Sequence, residues 1–93
     1  NQPPAYIPRF KIKIQNNTKY RVYISLQGVT EGGYHPITEY DLAPWEKTKF
    51  AIPEGKYTAI VYVGKDPMVG TFGIHGNNEI TIIIEKEKLK IIK

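Results

Sequence analysis

The chain has 93 residues, enough for one domain around one hydrophobic core, which excludes a two-domain enzyme. Hydrophobic residues make up 41% and charged residues 24%, ordinary globular proportions, and the absence of cysteine excludes a disulfide framework, a cysteine nucleophile and a thiolate metal site. The formal net charge of +4, from 13 Lys+Arg against 9 Asp+Glu, favours acidic partners such as nucleic acid, an anionic surface or an acidic polymer.

Residues 1–8 contain Pro3, Pro4 and Pro8, which remove backbone donors and favour extended chain, so they read as a Pro-rich linker ahead of a domain over residues 9–93. The chain opens on Asn1 and is read as a processed or excised piece. In Arg9-Phe10-Lys11-Ile12-Lys13-Ile14-Gln15 apolar and polar residues alternate, which predicts a half-buried strand with Phe10, Ile12 and Ile14 inward. Asn16-Asn17-Thr18-Lys19 is turn chemistry, and Tyr20, Val22, Ile24 and Leu26 then share one face of a second strand, so the two segments predict a hairpin. After the glycine-containing loop at Gly28, Gly32 and Gly33, residues 35–42 predict a weaker strand. Ala43-Pro44-Trp45-Glu46 is a turn with proline at its second position. Residues 47–52 alternate again, Pro53-Glu54-Gly55-Lys56 turns, and residues 57–63, apolar on both faces, predict a central strand covered on both sides. Turns at residues 64–67 and 76–78 bracket a strand over 68–75, and Ile80, Ile82 and Ile84 alternate in the next. Residues 86–93 suit an edge strand or a frayed end.

About seven short strands with regular turns and no helical pattern predict an all-β fold: a single antiparallel β-sandwich, with a five-stranded OB-like barrel as the alternative. The core is expected at Tyr20, Val22, Ile24, Leu26, Ile60 and Ile82. No apolar run approaches the roughly eighteen residues of a membrane helix.

Residues 42–59, with Pro44 leading one turn and Pro53-x-Gly55-x-Tyr57 forming the next turn and strand, resemble small immunoglobulin-like and transthyretin-like β-sandwich modules. These include the PEGA-type and carboxypeptidase-regulatory-like domains of prokaryotic surface proteins. Ile14-Gln15-Asn16-Asn17-Thr18 is similar to their opening segment. Trp45 departs from the pattern, because glycine often stands at that point of the turn. The resemblance implies an accessory or adhesion-type module of a larger protein, placed outside the cytoplasm or on the cell surface. It supplies no catalytic residue.

The inventory for catalysis is thin. Ser25 is the single serine, set mid-strand rather than on a strained elbow, and His35 and His75 are the only histidines. His35, His75, Glu39, Asp41 and Glu79 show no metal-ligand spacing, and no phosphate loop is present. We expect no enzyme activity, no metal and no cofactor. Two features suit binding. Arg9, Lys11, Lys13, Lys19 and Arg21, with Tyr23 interleaved, predict a basic patch of the kind that holds single-stranded nucleic acid, or alternatively a lysine-blunted sheet edge. Trp45, with Tyr34 and Tyr40 nearby in sequence, predicts an aromatic contact site for a sugar, a protein partner or a neighbouring domain of the parent chain, or alternatively a ring folded back over the end of the sandwich as a cap on the core. Asn16-Asn17-Thr18 also matches the N-glycosylation acceptor. The expectation is therefore a non-catalytic module acting through protein or glycan contacts, with nucleic-acid binding and carbohydrate binding as alternatives.

Overall fold

The alternating segments fold as eight strands in a computed structural model that describes residues 7–64, 67–76 and 79–92. They are β1 (Arg9–Asn16), β2 (Val22–Val29), β3 (Ile37–Leu42), β4 (Lys47–Pro53), β5 (Gly55–Tyr62), β6 (Pro67–Ile74), β7 (Ile80–Ile84) and β8 (Leu89–Ile92). Residues 1–6 of the expected linker and parts of the turns expected at 64–67 and 76–78 lie outside the described residues.

The strands form two four-stranded sheets, β4-β1-β7-β8 and β3-β2-β5-β6, so the chain is a β-sandwich and not a closed barrel. The count is eight rather than seven because the charged tail orders as β8, which pairs with β7 from Ile84–Leu89 to Thr81–Ile92. The strands are not all antiparallel. β1 runs parallel to β7, with Ile12 opposite Ile80 and Asn16 opposite Ile84.

The predicted hairpin between the first two strands does not form. β1 and β2 lie in different sheets, and residues 17–21 carry the chain over one end of the sandwich. The chain changes sheet again between β3 and β4, between β4 and β5, and between β6 and β7. A period of two fixes which side of a strand faces inward, and it does so equally for a hairpin and for a corner between sheets.

Ile12, Ile14, Val22, Ile24, Leu26, Leu42, Ala59, Val61, Ile74, Ile82 and Ile84 are fully buried between the sheets. Each isoleucine, leucine and valine among them contributes on the order of 1.5–3 kcal/mol through removal from water. Phe10 packs against this core from its margin. Two expected core residues lie elsewhere. Tyr20 is 40% exposed, because it sits in the corner before β2 begins. Ile60 is half-buried on the outer face, opposite Ser25, while Tyr57, Ala59 and Val61 point inward. β5 is central in its sheet, between β2 and β6, but is covered on one face only.

One row across the second sheet shows how the sequence sets packing. Gly28, Tyr57 and Phe72 are register partners on β2, β5 and β6. The Tyr57 ring lies over Gly28 so closely that a Cβ there would overlap it, and it stacks on Phe72 at 5.5 Å between centroids. Glycine leaves the space and the aromatic fills it. Gly70 on β6 makes similar room for Ile91 of β8, whose Cδ1 would stand 2.8 Å from an added Cβ. The two sheets therefore meet tightly along that side.

Candidate functional site

The end of the sandwich that carries Trp45 is built from the β1–β2 corner, the β3–β4 turn and the end of β7; Asn16 ties the first two together and Asn17 bonds the third. The Asn16 side chain is fully buried. The amide nitrogen donates to the carbonyl oxygens of Tyr20 at 2.8 Å and Ala43 at 3.0 Å. The amide oxygen accepts from the Thr18 backbone N–H at 3.0 Å and the Thr18 hydroxyl at 2.7 Å. The Asn16 backbone N–H donates to Glu46 O at 2.9 Å, and the Asn17 N–H donates to Ile84 O at 2.8 Å. A buried amide with its donors and oxygen engaged is stable only because each group finds a partner. The same arrangement closes Asn16 to glycosylation in the folded protein, so the sequence acceptor at residues 16–18 is not an available site.

Ala43-Pro44-Trp45-Glu46 is a tight turn in which the Glu46 N–H donates to Ala43 O at 3.1 Å. Proline occupies the second position, and Trp45, in the third, has φ of 64°. That left-handed backbone is the conformation glycine supplies freely and a bulky residue adopts at a cost of about 1–3 kcal/mol. The surroundings enforce it. Glu46 turns its carboxylate back to accept from the Ala43 N–H at 2.7 Å and from the Tyr40 hydroxyl at 3.2 Å, and the Trp45 N–H donates to Thr18 O at 3.2 Å. The indole itself stands in solvent, 63% exposed. Beside this turn, in the corner that Asn16 holds, is the exposed ring of Tyr20, with the ammonium groups of Lys19 and Lys86 at 5.6 Å and 6.0 Å from its centroid.

The other predicted aromatics do not join Trp45 in one platform. Tyr34 lies in the β2–β3 loop at the opposite end, where its N–H donates to the Thr30 hydroxyl at 3.1 Å. Tyr40 is half-buried, with its ring 5.9 Å from that of Phe50. Two rings that do meet are half-buried Tyr23 and exposed Tyr62 on the outer face of the second sheet, 5.9 Å apart. The Tyr23 hydroxyl donates to Glu39 at 2.5 Å, and that hydrogen bond, with partial burial and the nearby carboxylate charges, pushes the phenol up to about 12.

The predicted basic patch is divided. Arg9, Lys11 and Lys13 point outward from β1, whereas Lys19 and Arg21 lie in the corner and Tyr23 belongs to the other sheet. β1 sits between β4 and β7, so its lysines do not blunt an edge. The face gains Lys47 and Lys49 from β4 and Lys90 from β8, which the strand pairing brings alongside. Lys13 stands directly opposite Lys49. The alternation of residues 47–52 already put Lys47 and Lys49 outward; what the sequence lacked was the identity of β4's neighbour.

The end opposite Trp45 carries two adjoining hollows of about 670 Å³ and 720 Å³ that share Val29, Lys56 and His75. Tyr57 lines the first of them, its hydroxyl donating to Pro53 O at 2.6 Å and its pKa pushed up to about 12 by burial. Ser25 is not the surface residue its alternation suggests. It is buried on the outer face between Glu39 and Ile60, with the Gln27 amide 3.4 Å from its hydroxyl. Among the described residues no three of His, Asp and Glu come together as a metal site. Among the same residues no helix is long and apolar enough to cross a membrane.

No family model and no curated protein matches the chain. Two solved structures are similar over most of it. One is titled "Trapped Toxin", at 6% identity and a TM-score of 0.46, over 92% of this chain and 23% of that one. The other is the human-specific toxin intermedilysin, at 9% identity and a TM-score of 0.40, over 90% of this chain and 22% of that one. The chain thus spans less than a quarter of the length of either.

Proposed function

We propose that this domain is a non-catalytic accessory or adhesion-type module of a larger extracytoplasmic protein, and that it holds a protein or glycan partner, or a neighbouring domain of its parent chain, against the end that carries Trp45. The observation that supports this reading is the combination found at Trp45: a left-handed backbone that favours glycine, and an indole 63% exposed. Either feature alone is unfavourable for the isolated domain, and a contact made by the ring offsets both. An exposed tryptophan offers a large, rigid contact area at small entropic cost. The resemblance of residues 42–59 to immunoglobulin-like and transthyretin-like surface modules supports the same reading.

Trp45 is the only tryptophan, so emission reports on it alone. The free domain should emit as tryptophan in water does and be quenched efficiently by acrylamide. Titration with soluble neutral polysaccharides and with adjacent segments of the parent protein should shift the emission to the blue for one of them, and Trp45→Ala should abolish that binding. Blue-shifted emission resistant to quenching in the free domain would make Trp45 a cap over the core and remove this reading.

A second reading, nucleic-acid binding by the basic face, is supported by the addition of Lys47, Lys49 and Lys90 to that face. It is weakened by the position of Tyr23 on the other sheet, which leaves the cations without the aromatic platform that single strands stack on.

A further inference from the structure

We propose that the outer face of the sheet β4-β1-β7-β8 binds a linear acidic polysaccharide, with the carboxylate or sulfate groups of the chain lying along the lysines of β1 and β4. This goes beyond the function above: it assigns a second surface, separate from Trp45, to a glycan of stated chemistry.

The face presents Arg9, Lys11 and Lys13 from β1, Lys47 and Lys49 from β4, and Lys90 from β8. Lys11 and Lys13 are two residues apart on one strand, about 6.6–6.8 Å along it. Lys13 and Lys49 face each other across the β1–β4 pair, and like charges directly opposite are unfavourable in a sheet. The protein supplies little relief. Lys49 pairs with Glu79 and Lys90 with Glu85, each at 3.6 Å and each solvent-exposed, while Arg9, Lys11, Lys13 and Lys47 have no carboxylate within 4.0 Å among the described residues. Arg9, Lys11 and Lys13 form an unrelieved row on the interior strand β1, where edge protection is not needed, and Lys47 extends it onto the edge strand β4; this row is complementary to a chain of regularly spaced anions.

The rest of the face selects among such chains. Its other half, on β7 and β8, sets Thr81, Ile83 and Ile92 around the single cation Lys90, which stands opposite Ile83. None of the described outward side chains on this face is aromatic, so bases have nothing to stack on. Five of the six cations are lysines, mobile point charges without the fork that reads phosphates and base edges. Carboxylates on the lysine half and the C–H faces of sugar rings on Ile83 and Ile92 fit this division.

Affinity electrophoresis and calorimetry with the whole chain test the proposal, using polygalacturonate, neutral dextran and a thymidine oligonucleotide at about 20 mM and about 150 mM salt. Polygalacturonate should bind at low salt, weaken at high salt and exceed both other probes. The paired change Lys13→Gln/Lys49→Gln should weaken it at least about tenfold by removing displaced counterions. Glu79→Gln, which removes the carboxylate beside Lys49, should strengthen it, and this gain cannot come from misfolding. Trp45→Ala should leave it unchanged, so the failure of the Trp45 reading and of this one are separable. Absence of polygalacturonate binding at low salt, or binding that survives the paired change, overturns the proposal. Tighter binding of the oligonucleotide with the same sensitivity assigns the face to nucleic acid and also overturns it.

Discussion

The two ends of the sandwich are closed by different means. At the Trp45 end a buried polar side chain does the work: Asn16 ties the β1–β2 corner to the β3–β4 turn, and its neighbour Asn17 bonds β7 through the backbone. At the opposite end closure is aromatic, with Tyr57 lying over Gly28, stacked on Phe72 and anchored to Pro53 by its hydroxyl. A hydrogen-bonded end defines backbone geometry closely, which is why it can hold Trp45 at a φ that few bulky residues adopt. The aromatic end defines packing and leaves the hollows bounded by Val29, Lys56 and His75 beside it.

The largest effect should come from breaking the polar end. Asn16→Ala leaves the buried Thr18 N–H and the Ala43 carbonyl without their side-chain partner. At about 1–3 kcal/mol for each of the two groups left unsatisfied, the expected loss is about 2–6 kcal/mol by chemical denaturation. Asn16→Asp keeps the oxygen that Thr18 needs but turns the donor into a buried carboxylate oxygen facing the Tyr20 and Ala43 carbonyls, so near neutral pH it should cost at least as much as Asn16→Ala. A loss below about 0.5 kcal/mol for Asn16→Ala would show that the corner holds itself without the amide.

The aromatic end is tested by Gly28→Ala. The added methyl group overlaps the Tyr57 ring, which cannot retreat without leaving Phe72 or breaking its hydrogen bond to Pro53. Overpacking of this kind costs about 1–3 kcal/mol. The pairing Gly28→Ala/Tyr57→Leu should recover part of it, and additivity of the two changes would mean that the ring and the glycine are not coupled.

The contrast between the ends also shows what was legible in the letters. Ile12, Ile14, Val22, Ile24, Leu26 and Ile82 follow from alternation, because a strand buried on one side must place every second residue inward. Alternation was silent on which strands are neighbours. Residues 16–21 have the composition of a hairpin turn, and the feature that makes them a corner between sheets is the burial of the Asn16 amide, a tertiary property. Ile60 was misplaced because residues 57–63 are apolar on both sides, so their period carried no direction; its register opposite Ser25 decided it. Tyr20 has the parity of Val22 but precedes the strand, where parity no longer applies. The parallel pairing of β1 with β7 joins segments more than sixty residues apart, and no local pattern encodes it. At the site, the turn chemistry of Pro44 and the unusual tryptophan in a glycine position were visible directly, whereas the growth of the basic face depended on strand neighbours: Lys47 and Lys49 join it through the β1–β4 pairing, and Lys90 through β7 and β8.

A smaller effect at the aromatic end depends on pH. Burial raises the Tyr57 phenol from 10.0 to about 12. The fold favours the neutral form, so stability from this group is complete below pH 10, where both states keep the proton. Above pH 10 the unfolded chain ionises first, and stability falls as pH rises toward about 12. Tyr57→Phe should cost about 1 kcal/mol below pH 10 through the lost bond to Pro53, and should flatten the alkaline decline. Tyr23, held up by its bond to Glu39, titrates in the same range, so a decline that persists in Tyr57→Phe and disappears in Tyr23→Phe would assign it to the outer face instead.

The remaining effect has the opposite sign and bears most directly on function. Trp45→Gly relieves the left-handed backbone, which is worth about 1–3 kcal/mol, while glycine's extra freedom in the unfolded chain takes back about 0.5–1 kcal/mol. The difference is a gain of about 0–2.5 kcal/mol, read as a raised denaturation midpoint at constant slope. Trp45→Ala keeps a Cβ at the same φ, so it keeps the strain and should leave stability nearly unchanged. The pair of variants separates backbone from ring. A gain for glycine with no change for alanine means that the indole contributes nothing to the isolated domain and that its retention at a costly position is explained by what it touches outside. If both variants lose stability by similar amounts, the ring is packing on the domain's own surface despite its exposure, and the polar end of the sandwich is built to cover a core rather than to present a contact.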